Sequence, residues 1–285
     1  MMVEALEGLA VRPSGCYLDA TFGGGGHSKG ILAQLDAEGS LRGLDRDAGM
    51  IEQGELLAQQ DSRLALCHGS FSQMADLFQP NSFDGILMDL GISSIQLDDE
   101  QRGFSFHAEA PLDMRMDQGQ QVTAENWLAQ ATETQMEQVF KQYGNERHAQ
   151  RIAEAIASSR DLSSVPLTAA GLSALIGRVK PGRDGRKHPA TRVFQALRLV
   201  VNNEIEELQR GLELSEGLLK EGGRLVVIAF HSLEDSLVSR FIRQSSMLFS
   251  ASSVQKPTFA EKRSNPRSRS ALLRVAHKKM SGELL

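Results

Sequence analysis

The sequence is short of several things, and each shortage argues against a class of protein. Its 285 residues hold two cysteines, Cys16 and Cys67, both in apolar runs. That speaks against a disulfide framework and for buried free thiols in a reducing compartment. The longest strongly apolar run, LVVIAF at Leu225–Phe230, falls far below the ~20 residues that cross a bilayer. No basic-then-apolar leader opens the chain, so the expected location is cytoplasmic, with no membrane partner. There is no H-E-x-x-H and no cluster of Cys and His, so no metal site is expected. Internal repeats and low-complexity segments are also missing. What is left is an ordinary globular composition, 41% hydrophobic and 24% charged, in a chain long enough to bury a sizeable core.

The formal net charge is −5, which argues mildly against indiscriminate nucleic-acid binding. Its distribution says more. Lys256 to Lys279 holds eight Lys/Arg against Glu261, and Arg178 to Arg192 holds six against Asp184, leaving the remainder strongly acidic. An acidic body with two basic segments suggests local attraction to a polyanion; two solvated basic loops are the plainer alternative.

The first ninety residues alternate strand-like and helix-like stretches. CYLDAT, SLRGLD, LALCHGSF and FDGILMDLG read as strands, with helices over Ser28–Leu35, Ala48–Ala58 and Ser72–Phe78 between them. GGRLVVIAFHS reads as a fifth, buried strand, and SRSALLRVA in the tail as a last edge strand. Short apolar strands alternating with helices imply an α/β, mostly parallel, doubly wound sheet covered on both faces. Ligands of such sheets sit at the carboxyl ends of the strands, where Asp19, Gly23–Gly26, Asp45, Phe71 and Asp89 fall. Between Ser93 and Pro189 no core strand is legible. Thr132 and Gln135 fit a capping box, Met136, Val139, Phe140 and Tyr143 recur at helical spacing, and Ala149, Ile152, Ala153 and Ile156 mark another helix. The expected organisation is a discontinuous sheet domain, 1–95 and 190–285, with a helical subdomain inserted at 96–189. A long amphipathic helix carrying Phe194, Leu197, Val201, Ile205 and Leu208 should lead back to the sheet.

The glycines of YLDATFGGGGHSKG lie where a nucleotide-like ligand approaches the backbone. A P-loop needs Lys and Ser/Thr after its last glycine, but Ile31 and Leu32 follow Gly30. The dinucleotide fingerprint G-x-G-x-x-G ends on Ser28 or Lys29 in the two possible registers, so neither completes it. S-adenosylmethionine carries no phosphate and needs small residues plus an acid for its ribose. Asp45, 22 residues beyond Gly23, stands about where a ribose-binding acid belongs, and Asp19 suits a group near the ligand's ammonium. The other reading is that the glycines make a tight turn and Asp45 caps a helix.

TFGGGGHS, DRD, ILMDLGISSIQLDDEQRGFSF, PLDMRMD, KHPATRVFQALRLVVNNEIEEL, GGRLVVIAFHSLED and NPRSRSALLRVA follow one another along nearly the whole chain. In this the sequence closely resembles the bacterial 16S rRNA (cytosine-N4) methyltransferases of the RsmH (MraW) type. The resemblance implies a class I (Rossmann-like) methyltransferase fold with a helical insertion. It implies S-adenosylmethionine as methyl donor and, as partner and target, a cytidine in the decoding region of 16S rRNA, within the small ribosomal subunit or a late assembly particle. The family's cofactor positions fall on Gly25, Gly26, His27, Asp45, Phe71, Asp89 and Gln96. Two departures stand out: the chain opens MMVEALEGL where relatives usually have a further short segment, and Ile95 replaces a common Pro.

Cytosine's exocyclic amine is a poor nucleophile, so direct transfer needs in-line positioning and an acceptor for an amine hydrogen. Many amino-methyltransferases place [DN]-P-P-[YF] after strand four for this purpose. This chain has no Pro-Pro pair, and DLGISS (Asp89–Ser94) stands there instead, which makes Asp89 the expected catalytic residue. Asp113, Arg115 and His231 are candidates for the base pocket, with a purely structural network as the alternative. Lys187, His188, Arg192, Arg267 and Arg269 are expected to hold RNA phosphates. Phe71 is expected either over the adenine or in the core. A nicotinamide-dependent reductase and a non-catalytic ribosome-assembly factor are the competing functions. A serine hydrolase is not supported, because GISSI lacks the second glycine of G-x-S-x-G.

Overall fold

The computed structural model describes residues 1–160, 168–180 and 188–280. The chain divides into two compact units, Met1–Gly91 with Ile205–Leu285, and Ile92–Glu204.

In the first unit the order is α1 (Met2–Leu9), β1 (Cys16–Asp19), α2 (Gly26–Leu32), β2 (Ser40–Asp45), α3 (Ala48–Gln60), β3 (Leu64–His68), α4 (Met74–Leu77) and β4 (Phe83–Asp89). After the insertion come α11 (Glu204–Leu218), β5 (Leu219–Ala229), α12 (Ser232–Gln244), β6 (Leu248–Ser250), α13 (Phe259–Ser264) and β7 (Leu272–Lys278). The strands form one sheet in the order β3-β2-β1-β4-β5-β7-β6. Its first five members are parallel, and β7 is antiparallel to both its neighbours. Alternate residues feed two separate cores, as side chains of period two must in a sheet covered on both faces. Ile86 and Met88 of β4, with Leu225 and Val227 of β5, pack with Leu208 and Leu212 of α11 and Leu237 and Val238 of α12. Leu87, Val226 and Ile228 pack the other way, with Ala5 and Leu9 of α1 and Ile31 and Leu32 of α2. This is the doubly wound architecture expected from the sequence.

Three expectations are corrected. The tail strand is not an edge: β7 is paired on both sides, with β5 from Arg224↔His277 to Ala229↔Leu272 and with β6 from Leu248↔Lys278 to Ser250↔Ala276. The true edge, β6, has three residues of which two are exposed, so it carries no alternation to read. The long helix after Ala190 is two helices, α10 (Thr191–Val201) and α11. Asn203 takes a left-handed φ of 48° between them. The fully buried Asn202 side chain donates to the Met114 carbonyl at 2.7 Å and accepts the Met116 N–H at 2.7 Å. Finally, the insertion runs from Ile92 to Glu204 rather than over 96–189, because Ala190, Val193, Phe194, Ala196, Leu197 and Val201 belong to its own core.

That inserted unit holds α5 (Ser94–Asp98), α6 (Ala124–Gln130), α7 (Glu133–Gln142), α8 (Ala149–Arg160), α9 (Ala169–Val179) and α10. The Thr132–Gln135 capping box is formed, and Met136, Phe140, Ala149, Ile152, Ala153 and Ile156 are buried as their spacing implied. Among the described residues its β structure is a single bridge, Pro111↔Thr168. Lys180 and Glu146 form a buried ion pair in it. Lys180 Nζ donates to Glu146 Oε2 at 2.9 Å, and to the Pro189 carbonyl at 3.2 Å.

A buried charge stripped of its partner is costly. Lys180→Met should therefore lower stability in urea unfolding by about 3–5 kcal/mol. Adding Glu146→Leu to that variant should recover much of the loss.

Candidate active site

The glycine-rich turn leaves the end of β1 and is fixed by the residue before it. Phe22 is buried, and a Cβ on Gly54 of α3 would come within 2.4 Å of its ring, one on Gly43 of β2 within 2.8 Å. The two glycines let the ring lie against both elements, so the turn is anchored by packing as well as by hydrogen bonds. Phe22 accepts the Gly25 N–H at 2.8 Å, and Gly25 takes a φ of 71°, which an L side chain rarely adopts. Gly25 is buried, and Gly24 and Gly26 are exposed.

Around this turn three adjacent strands each end in an aspartate. Asp19 ends β1 and is fully buried; its carboxylate accepts the Ser28 hydroxyl at 2.7 Å and the Thr21 N–H at 3.3 Å. Asp45 ends β2, with Oδ2 accepting the Gly23 N–H at 2.7 Å and Oδ1 the Asp47 N–H at 2.9 Å. Asp45 thus ties the second strand to the turn while α3 is capped by Asp47, not by Asp45. Asp89 ends β4, where its N–H donates to Thr21 Oγ1 at 2.7 Å and its Oδ2 lies 3.5 Å from His27 Nδ1. Burial pushes each of the three carboxyls up to about 6. Backbone and hydroxyl donors oppose that shift at Asp19 and Asp45, and His27 opposes it at Asp89. Burial also lowers the His27 pKa, against the pull of Asp89. Thr21 and Ser28 escaped the sequence reading although they lie inside the quoted glycine stretch. The signal was a hydroxyl on either side of the glycines.

The remaining expected residues are distributed as follows. Phe71 opens a short helical turn after β3, half-buried, with its Cβ and ring 2.9–3.1 Å from where a Cβ on Gly211 of α11 would stand. One side of it therefore packs in the core. His231 caps α12: its Nδ1 accepts the Glu234 N–H at 3.4 Å, and Glu234 Oε2 accepts the Phe230 N–H at 2.8 Å. Arg267 and Arg269 are exposed on a helical turn before β7. In the inserted unit Gln96 is buried, and its Oε1 accepts the Ser93 N–H at 3.0 Å in a capping box. Asp113 and Arg115 form a two-pronged pair, at 2.7 and 2.8 Å, and Arg115 also donates to the carbonyls of Gln118 and Gln120. That network staples its own loop. His188 and Arg192 are half-buried at the start of α10. Lys187 lies outside the described residues. No group of three or more His, Cys, Asp or Glu that could hold a metal occurs among the described residues.

The MraW methylase family profile matches residues 1–279. The chain belongs to that family. Ribosomal RNA small subunit methyltransferase H of Pseudoalteromonas atlantica is 43% identical, over 98% of this chain and 96% of the relative. The proteins of the same name from Azoarcus sp. and Methylococcus capsulatus are 43% and 46% identical, over 98% of this chain and 95% and 99% of theirs. As a MraW methylase the chain is a methyltransferase, and its methyl donor is S-adenosylmethionine.

The strand ends fit such a donor. Two buried polar atoms of the cluster, Asp89 Oδ1 and His27 Nε2, have no hydrogen-bond partner in the protein. Buried polar atoms are normally satisfied, so a partner from outside the chain is the expected completion. The donor carries a cationic ammonium and a sulfonium, and one buried and two half-buried carboxylates are a matching field.

Three outcomes follow for the MraW methylase. A cation favours the ionised carboxylates, so donor affinity should rise as pH goes from about 5 to about 7 and level off above, read by isothermal titration. In the free protein the sign is opposite. The native carboxyls bind protons up to about pH 6 and the unfolded ones only to about 4, so their contribution to stability falls across that window. Asp45→Asn should weaken donor binding at least about tenfold, because its amide N–H would face either the Gly23 or the Asp47 N–H.

Proposed function

We propose that this MraW methylase transfers a methyl group from S-adenosylmethionine to the exocyclic N4 amine of a cytidine in the decoding region of 16S ribosomal RNA. The observation that carries the reading is Asp89. It is a carboxylate at the end of β4 with one buried oxygen lacking a protein partner, in the position where other amino-methyltransferases place their amine-orienting residue. When bound, the donor supplies an electrophilic methyl group on a sulfonium.

Every other contribution comes from the chain. Asp45 holds the ribose end through its carboxylate, and the Gly23–Gly26 turn gives the backbone close approach. Phe71, half-buried after β3, covers the adenine with its open side. Asp19, with Ser28 and Thr21, holds negative charge behind the turn. Asp89 accepts a hydrogen of the amine and raises its nucleophilicity as positive charge develops on nitrogen, and its pKa near 6 leaves it ionised at neutral pH. His27 stays neutral beside it and keeps its orientation.

The substrate is folded RNA in the small subunit or a late assembly particle, so the target base is splayed out to react. Arg192, Arg267 and Arg269, together with Lys187, hold its phosphates, and Asp113, Arg115 and His231 keep the loops around the base in shape. The place of action is the cytoplasm, in keeping with a chain in which no described helix is long and apolar enough to cross a membrane.

Incubating the protein with small-subunit particles and labelled donor, then digesting the RNA, should yield N4-methylcytidine. At saturating donor, Asp89→Ala should lose about 10²–10⁴-fold in kcat. Near-normal turnover by that variant would discard the role given to Asp89, and a different methylated nucleoside would discard the N4 assignment.

A further inference from the structure

The inserted unit carries a column of rings that the chemistry above does not use. Phe194 is buried in its core. Phe106 meets Phe194 edge-on, with centroids 4.9 Å apart and planes at 76°. The His188 ring lies flat on Phe106, at 4.7 Å and 9°. His107 meets His188 edge-on at 5.8 Å and 79°. Burial decreases along the column: Phe194 is buried, Phe106 and His188 are half-buried, and His107 is exposed.

Hydrogen bonds at the start of α10 place the His188 ring. His188 Nδ1 accepts the Ala190 N–H at 3.3 Å, and its carbonyl accepts the Thr191 N–H at 3.0 Å as α10 begins. Partial burial, with His107 adding to it, lowers the His188 pKa, so at neutral pH the ring is uncharged. An uncharged imidazole gives little to a phosphate but presents a π face. Rings fixed at one end in a core and open at the other are what single-stranded nucleic-acid binders offer to unpaired bases. Arg192, four residues on, brings the positive charge that tracks a backbone.

We propose that the Phe106–His188–His107 column is a stacking platform for an unpaired nucleobase of the RNA substrate, so that His188 binds RNA through its ring face and not as a phosphate ligand. The inference rests on the reading of the protein as an RNA methyltransferase. It adds a subsite that recognises any base by its flat face, without selecting sequence.

The test uses single-stranded RNA oligonucleotides carrying one 2-aminopurine at successive positions, together with small-subunit particles for activity. The full-length protein should quench the fluorophore at one position. His107→Ala and His188→Ala should each weaken oligonucleotide binding about tenfold and abolish the quench, while the dependence of affinity on salt keeps its slope. His188→Phe, which keeps the ring and removes both nitrogens, should restore affinity and quench. With particles, the alanine variants should raise KM about tenfold and leave the donor Kd unchanged.

The platform is refuted if no position is quenched by the wild-type protein, or if His188→Phe is as weak as His188→Ala. It is refuted equally if His188→Ala flattens the salt dependence, which would mark a phosphate contact. Absence of methyl transfer by the wild-type protein would sink the underlying RNA reading itself. Transfer with a particle KM unmoved by either alanine variant would sink the platform alone.

Discussion

Three carboxylates of like charge stand at the ends of neighbouring strands, because the order β2-β1-β4 puts Asp45, Asp19 and Asp89 side by side. Taking each out of water disfavours its ionised form, and proximity to the others adds to the cost. The protein offsets this unequally. Asp19 is satisfied by Ser28 and Thr21, and Asp45 by two backbone N–H groups, whereas Asp89 has a loosely placed histidine and an oxygen with no partner. The field is therefore best satisfied by a cationic ligand, and the residue left least satisfied is the one nearest the proposed chemistry.

Holding that field requires a rigid frame. The sheet supplies it by feeding alternate residues of β4 and β5 into separate cores, so that a one-residue slip would exchange the side chains packed into each and disturb both. The Phe22 ring fastens the glycine turn to β2 and α3 at the two positions where glycine leaves room for it. The inserted unit builds a core of its own, closed by the Glu146–Lys180 pair and the Asn202 side chain.

Legibility followed physical range. The parallel strands could be read because burial on both faces makes them continuous apolar runs. The spacing from Gly23 to Asp45 was readable because a β-strand, a turn and a helix have nearly fixed lengths. The Thr132–Gln135 cap could be read because its partners lie three residues apart. By contrast, the Asn202–Asn203 break was invisible: Phe194, Leu197, Val201, Ile205 and Leu208 keep helical period across it, and the cause is a bond to residues 114 and 116. That His231 caps a helix and that Asp113 pairs with Arg115 was likewise not legible, because residue type alone does not name the partner. The π role proposed for His188 needs Phe106, some eighty residues away, to be seen at all.

By itself the sequence determined which residues could carry charge, turn sharply or line a core, since those are local properties of side chains and of short repeats. It therefore determined the alternation of strands and helices, the glycine turn and the resemblance to a methyltransferase family. Only the tertiary structure decided that three aspartates share one neighbourhood with their pKa values raised. It alone decided that the tail strand lies inside the sheet, and that an aromatic column reaches from core to solvent. Each of these depends on contacts between distant parts of the chain, and burial and mutual distance, not residue type, set the free energy of a charge or a ring.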